Sequence, residues 1–121
     1  KFLNAGIGYG GSCFPKDTKA LHWLANFNDY ELKTVKAAIE TNDNQKFKII
    51  KKARKYYENL QGKKIAVLGL TFKPGTDDLR EAPSLVNIPI FLGEGCEIKA
   101  WDPAKLPILS ILGINALCFV S

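Results

Sequence analysis

Apolar residues recur at helical spacing soon after the start of the chain. This spacing predicts a short helix, whose apolar face is formed by Ala20, Leu21, Leu24 and Phe27. Pro15 suits the entry to this helix, Asp17 offers an N-cap oxygen, and the segment 26–29, with two asparagines and an aspartate, supplies the stop. We therefore expect a short helix that is entered near Pro15.

A second apolar set runs from Tyr30 to Leu60, with Gly62 placed as a left-handed C-terminal cap. The spacing predicts one helix of about eight turns, unless the polar patch 41–45 divides it. So long a helix in so small a chain needs a partner for its apolar stripe, and the same helix of a second subunit would serve. Asn42 interrupts the stripe and would need hydrogen-bond partners if buried.

The second half of the chain predicts a parallel βαβ unit. Residues 65–70 form a short apolar run typical of a strand buried on both faces, and 96–101 alternate as a half-buried strand. Between them, residues 83–92 predict a helix that Pro89 would bend. The connection should be right-handed. Only Gly69 stands where a dinucleotide fingerprint needs several glycines, so this turn alone does not support nicotinamide-cofactor binding.

Composition and charge narrow the class of protein. The chain has 121 residues, 46% of them apolar, which allows one domain or parts of two. A net charge of +5 suggests anionic partners, although a solvated basic face over 46–64 is the simpler reading. The scattered aromatic residues give little support for a nucleic-acid platform.

The three cysteines lack CxxC spacing and are odd in number, so neither a disulfide framework nor a zinc site is indicated. A reducing, cytoplasmic setting fits best. The longest apolar run, near the C-terminus, is shorter than the roughly 20 residues of a membrane helix. The apolar tail 106–121 could add a third strand or leave apolar surface exposed.

Four glycines within residues 6–11 precede Cys13, which gives a backbone able to lie directly against a ligand. A lone cysteine is usually a small buried hydrophobe. Here a helix N-terminus and Lys16 both favour the thiolate, so we interpret Cys13 as a nucleophile. Asp17 is four positions on and would share a helical face with Cys13; it could orient a water, act only as an N-cap, or do both.

Two cations follow the first predicted strand. Lys73 and Arg80 lie in the loop at the carboxyl edge of the sheet, where open α/β sheets bind ligands. Arginine can bind a phosphate through two parallel hydrogen bonds, and lysine acts as a point charge. From the residues alone, a surface charge cluster of Asp77, Asp78, Arg80 and Glu81 is the favoured alternative.

Two motifs in order carry a family resemblance. Residues 2–17, FLNAGIGYGGSCFPKD, and 68–84, LGLTFKPGTDDLREAPS, closely resemble the UDP-glucose 6-dehydrogenases. The resemblance extends to about residue 103. It implies two dinucleotide-binding-like domains joined by a long dimerisation helix, and oxidation of UDP-glucose to UDP-glucuronate by two NAD⁺. No metal is implied.

The resemblance implies a division of this chain into two parts. Residues 1–62 would hold the catalytic cysteine loop and the central helical dimerisation region, and 63–121 a partial C-terminal, UDP-binding, Rossmann-like domain. The fold class is thus α/β, a long central dimerisation helix followed by a partial Rossmann-like parallel βαβ domain. The partners implied are UDP-glucose and a second copy of the chain, with no nucleic acid and no membrane.

The resemblance also implies roles by position. Cys13 would hold the C6 aldehyde as a thiohemiacetal and then as a thioester, and Asp17 would assist hydrolysis of that thioester. Lys16 and Arg80 would reach the NAD⁺. The implied substrate-binding residues are Phe2, Leu3, Asn4, Ala5, Gly6, Gly10 and Lys73.

Relative to the family, we expect this chain to lack the N-terminal NAD-binding domain with its glycine fingerprint. We therefore expect a fragment that does not transfer hydride alone, with a C-terminal domain that is also incomplete. One alternative is a non-catalytic dimerisation or nucleotide-sugar binding module. Another is the related chemistry on GDP-mannose or UDP-N-acetylmannosamine, although the motifs favour UDP-glucose.

Overall fold

The computed structural model describes residues 6–103 of the chain. Within them lie four α-helices and two β-strands in the order α1 Cys13–Phe27, α2 Lys33–Lys46, α3 Lys48–Tyr56, β1 Lys64–Leu68, α4 Pro83–Gly93 and β2 Glu97–Trp101. This order confirms the α/β class. The predictions for Phe2 to Ala5 and for the tail 106–121 fall outside the described residues.

Helix α1 starts earlier than the sequence predicted. Its first residue is Cys13 and its N-cap is Ser12, so the expectation that Asp17 caps the helix is wrong. Pro15 is compatible with this earlier start because the amide groups of a first helical turn have no partner within the helix. Thr18 lies inside the helix, where its Oγ1 donates to the carbonyl of Phe14 at 2.8 Å.

The predicted eight-turn helix is divided into α2 and α3. The break falls at Phe47, two residues after the polar patch 41–45 that the sequence offered as the alternative dividing point, and α3 ends before Leu60. The two helices share α4 as a packing partner, but only α2 also packs against α1. Ile50 of α3 belongs to the main core.

The two strands are parallel and paired in register from Lys64 with Glu97 to Leu68 with Trp101. Helix α4 connects them, which confirms the predicted parallel βαβ unit. It continues past the exposed Pro89. The core cluster lies between α3, α4 and the sheet, and its members are Ile50, Leu60, Leu70, Ile88, Phe91, Cys96, Ile98 and Ala100.

The prediction that β1 is buried on both faces is wrong for the described part of the chain. Ile65 and Val67 pack towards the core, but Leu68 is 79% exposed and its neighbour Trp101 is 45% exposed. Only one face of the sheet packs against a described helix, since β1 alternates between exposed and half-buried positions. Among the described helices, none is long and apolar enough to cross a membrane.

Candidate functional site

The glycine-rich loop, residues 6–12, fits closely against the segment 71–81, which we call the Arg80 loop. The amide of Gly11 donates to the carbonyl of Arg80 at 2.7 Å. A Cβ at Gly10 would lie 2.6 Å from the carbonyl oxygen of Glu81, and one at Gly11 would lie 2.9 Å from the ring of Phe72. Only glycine allows two backbones to approach so closely. The structure thus joins the two sequence motifs directly.

Helix α2 holds the glycine-rich loop from the other side. The side chain of Asn42 accepts from the amide of Tyr9 at 2.7 Å and donates to its carbonyl at 3.3 Å. Gln45 of the same helix donates to the carbonyl of Gly6. Asn42 is buried, so the expectation that it would need hydrogen-bond partners is confirmed.

A carboxylate that sequence reasoning left among the surface charges is central to this arrangement. Glu81 accepts from Lys19 of α1 at 3.0 Å and from Lys46 of α2 at 3.1 Å. These two lysines hold the pKa of Glu81 below its usual value, Lys19 having the larger effect. Lys46 is buried. The amino-acid sequence gives no indication of this burial, because lysine side chains are nearly always exposed.

Cys13 opens onto a cavity of about 590 Å³ between α1 and the Arg80 loop. The cavity is lined by Gly11, Ser12, Cys13, Pro15, Lys16, Lys19, Arg80 and Glu81. Cys13 is unpaired and exposed, and its Sγ lies 3.6 Å from Ser12 Oγ. The structure therefore brings together three predicted site residues, Cys13, Lys16 and Arg80, from two separate motifs.

Asp17 lies in α1 four residues after Cys13, as the shared-face interpretation required. It does not line the cavity beside Cys13 and instead pairs with Lys16 at 3.4 Å, where both side chains are exposed. Arg80 makes the surface pair that the alternative interpretation favoured. Its guanidinium donates twice to Asp78 at 2.9 Å, which raises the pKa of Arg80 and lowers that of Asp78.

Lys73 lies in a different cavity, of about 420 Å³, at the carboxyl ends of the two strands. Its Nζ is 5.1 Å from the centre of the Phe72 ring. In the same cavity, the buried Asp102 accepts from the amides of Leu70 and Thr71 at 2.6 and 3.3 Å. Phe72 lines this cavity and also lies against Gly11, so it stands between Lys73 and the glycine-rich loop that leads into Cys13, which we call the cysteine loop.

The other described residues that were predicted to bind substrate, Gly6 and Gly10, lie outside the cavity that contains Lys73. Gly6 lines a third cavity of about 530 Å³ with Tyr9, Phe14 and Gln45. Gly10 is buried against Glu81. Within residues 6–103, no group of three histidine, cysteine or acidic side chains is arranged to hold a metal ion.

Comparison with known proteins gives matches over most of the chain. Residues 1–44 match the central domain of the UDP-glucose/GDP-mannose dehydrogenase family, and residues 66–109 match the UDP binding domain of the same family. UDP-glucose 6-dehydrogenase TuaD of Bacillus subtilis is 49% identical over 114 residues, 93% of this chain and 25% of the relative. UDP-glucose 6-dehydrogenase AglM of Haloferax volcanii is 44% identical over 102 residues, 84% of this chain and 24% of the relative.

Solved structures agree with these matches. A UDP-glucose dehydrogenase from Pyrobaculum islandicum superposes with a TM-score of 0.84 at 33% identity, over 93% of this chain and 27% of that one. A GDP-mannose dehydrogenase from Pseudomonas aeruginosa gives 0.68 at 34% identity, over 84% of this chain and 22% of that one. The chain spans about a quarter of the length of these relatives. The matched domains, the sequence identities and the shared Rossmann-like fold establish that this chain belongs to the UDP-glucose/GDP-mannose dehydrogenase family.

Proposed function

We propose that this chain supplies the cysteine side of the active site of an NAD-dependent UDP-glucose 6-dehydrogenase, which oxidises UDP-glucose to UDP-glucuronate. The observation that carries the proposal is the cavity in which Cys13 meets Lys16 and Arg80. The names of the relatives support the substrate. Because the chain spans about a quarter of those relatives, we expect turnover only when the remaining part of the enzyme is supplied.

Cys13 is the nucleophile in this proposal. Its thiolate adds to the C6 aldehyde to give a thiohemiacetal, and oxidation converts that adduct to a thioester. Its position as the first residue of α1 supports the role, because a helix N-terminus stabilises negative charge. Asp17, one helical turn on, would orient the water that hydrolyses the thioester and restores the thiol.

Lys16 and Arg80 are the residues that would hold NAD⁺. Both line the cavity beside Cys13, and the donor set of an ammonium and a guanidinium fits a phosphate-bearing cofactor. When bound, NAD⁺ supplies the acceptor for the hydrides released as the alcohol becomes a carboxylate. The pair between Arg80 and Asp78 would have to loosen, or the guanidinium would have to use its remaining donors, for this contact to form.

Lys73 is the proposed contact for the UDP group. It lies at the carboxyl ends of the parallel strands, where α/β sheets bind nucleotides, and its ammonium can pair with a phosphate. Gly6 and Gly10 remain proposed substrate contacts together with residues 2–5. We also propose a cytoplasmic homodimer in which the helical region α2–α3 packs against its copy, supported by the exposed Phe47 and Ile49.

The first experiment tests binding by this chain. UDP-glucose is titrated by calorimetry into the wild-type chain, into Lys73→Ala, and into Lys99→Ala as a matched control on the exposed face of β2. We expect saturable binding that weakens about tenfold in Lys73→Ala and not in Lys99→Ala. GDP-mannose and UDP-N-acetylmannosamine are titrated in parallel, and tighter binding of either would overturn the choice of sugar.

The second experiment tests the chemistry. The chain is exchanged for the matching quarter of the Bacillus subtilis relative, and NADH formation with UDP-glucose is followed by absorbance. We expect activity that Cys13→Ser lowers by at least about a thousandfold. Cys96→Ser is the control, because Cys96 is buried in the core. Turnover that survives Cys13→Ser would contradict the nucleophile assignment.

A further inference from the structure

Glu81 lies outside every role proposed above, yet its carboxylate joins two helices. One oxygen accepts from Lys19 of α1 and the other from Lys46 of α2. The lysines differ in environment, since the Lys46 side chain is 6% exposed and that of Lys19 is 50% exposed. Glu81 therefore fixes the Arg80 loop to both helices that flank the cysteine loop.

The backbone of Glu81 contacts the cysteine loop directly. Its carbonyl lies against Gly10, and the preceding carbonyl, of Arg80, accepts the amide of Gly11. Glu81 also has a φ of +56°, a left-handed conformation that a glutamate rarely adopts unless its surroundings hold it there. The side chain and the backbone of one residue thus meet the two helices and the loop that carries Cys13.

We propose that Glu81 is a positioning residue that holds the Arg80 loop against the cysteine loop, so that Arg80 and Cys13 face the same cavity. The importance of this positioning for catalysis rests on the proposed function, whereas the contacts of Glu81 with the two lysines do not. Lys19 lowers the pKa of Glu81 more, but Lys46 is the principal partner for stability, because a buried ammonium that loses its carboxylate is left unpaired. Lys19 contributes less, because water screens an exposed pair.

The experiment measures exchange of the Gly11 amide by NMR on the full 121-residue chain without ligand. The variants are Glu81→Gln, which removes the charge, Lys46→Met and its conservative counterpart Lys46→Arg, and Lys19→Met. Glu97→Gln is the matched control, because Glu97 is exposed at the start of β2. The amide of Gly69, which donates to Trp101 at 2.8 Å, reports on the sheet away from the cysteine loop.

We expect Gly11 exchange to rise by about tenfold or more in Glu81→Gln and Lys46→Met, and less in Lys19→Met. Lys46→Arg should retain protection, and Gly69 should change far less than Gly11. The Cys13 resonances should shift in Glu81→Gln. If Lys46→Met does not fold, Glu81→Gln and Lys46→Arg still decide the question.

Unchanged Gly11 exchange in Glu81→Gln would overturn the proposal, because the pair would then be an ordinary surface contact. An equal rise at Gly11 and Gly69 would also overturn it, because it would indicate general destabilisation. Unshifted Cys13 resonances in Glu81→Gln would overturn it as well, because the contact would then not affect the position of Cys13. A UDP-glucose titration of the same spectra is separate: absence of binding by the wild-type chain would count against the proposed function and leave the Gly11 result intact.

Discussion

Replacement of Gly10 by alanine tests the contact between the two loops most directly. The added Cβ would lie 2.6 Å from the carbonyl oxygen and 2.9 Å from the carbonyl carbon of Glu81, and 3.0 Å from Cβ of Phe72. Two of these three atoms belong to the backbone, so no side-chain rotation relieves the overlap. Gly10 does not have a positive φ, and the cost of Gly10→Ala is therefore steric and not conformational.

The expected cost follows from two terms. An extra carbon forced into a tight contact costs about 1–3 kcal/mol. Separation of the loops also lengthens the bond from the Gly11 amide to the Arg80 carbonyl, now 2.7 Å, and loss of such a bond costs about 1 kcal/mol. We therefore expect Gly10→Ala to lower the free energy of unfolding by about 2–4 kcal/mol.

Urea unfolding followed by circular dichroism measures this change. With a slope typical of small domains, the midpoint should fall by about 1–2 M. Gly93→Ala is the control, because no described atom beyond its chain neighbours and its own helix backbone lies within 4 Å of the added Cβ, and its φ is not positive. There we expect no loss, and a gain of up to about 1 kcal/mol. A Gly10→Ala chain within about 0.5 kcal/mol of wild type would refute the steric argument.

Three further results are expected. Asn87→Leu should raise the free energy of unfolding by up to about 1 kcal/mol, because relief of the buried Asn87 Oδ1, which has no partner among the described residues, outweighs loss of the bond from Asn87 Nδ2 to the Pro83 carbonyl; a loss in urea melts would contradict this. Because the pKa of Glu81 is lowered in the folded chain, its contribution to stability is present above the ordinary glutamate pKa of 4.5 and is lost as the pH falls through the lower folded value. Urea melts across this pH range should show a fall in the free energy of unfolding that is absent in Glu81→Gln. Iodoacetamide should label Cys13 at least about tenfold faster than Cys96, whose burial raises its thiol pKa, and mass spectrometry showing equal rates would contradict the assigned exposures.

Local pattern was sufficient to predict most of the fold. The two strands and the helix between them follow from alternation, an apolar run and the proline that opens α4. Asn42 was recognisable because a polar residue in an apolar stripe requires partners. The sequence left open whether the long helix divides, because the break at Phe47 depends on tertiary packing, in which α2 contacts both α1 and α4 whereas α3 contacts α4.

The sequence was less informative about which charged side chains of the site form ion pairs with each other. Cys13, Lys16 and Arg80 could be selected from residue type and from the family resemblance, and the structure brings them to one cavity. Glu81 and Lys46 could not be selected, since charged side chains are exposed in most sequences and a buried pair is formed only by tertiary packing. The left-handed backbone of Glu81 likewise has no local sequence signal.

Because Gly10 and Gly11 fit so closely against other residues, their presence in a related chain does not by itself indicate an active enzyme. Their small size is required by Glu81 and Phe72 of the same chain, whether or not any ligand binds. A related chain that had lost the reaction but kept this fold would be under the same steric demand to retain both glycines. Retention of both glycines in a related chain would therefore indicate only that the fold is kept. Replacement of Cys13 would be the better indication that the reaction has been lost.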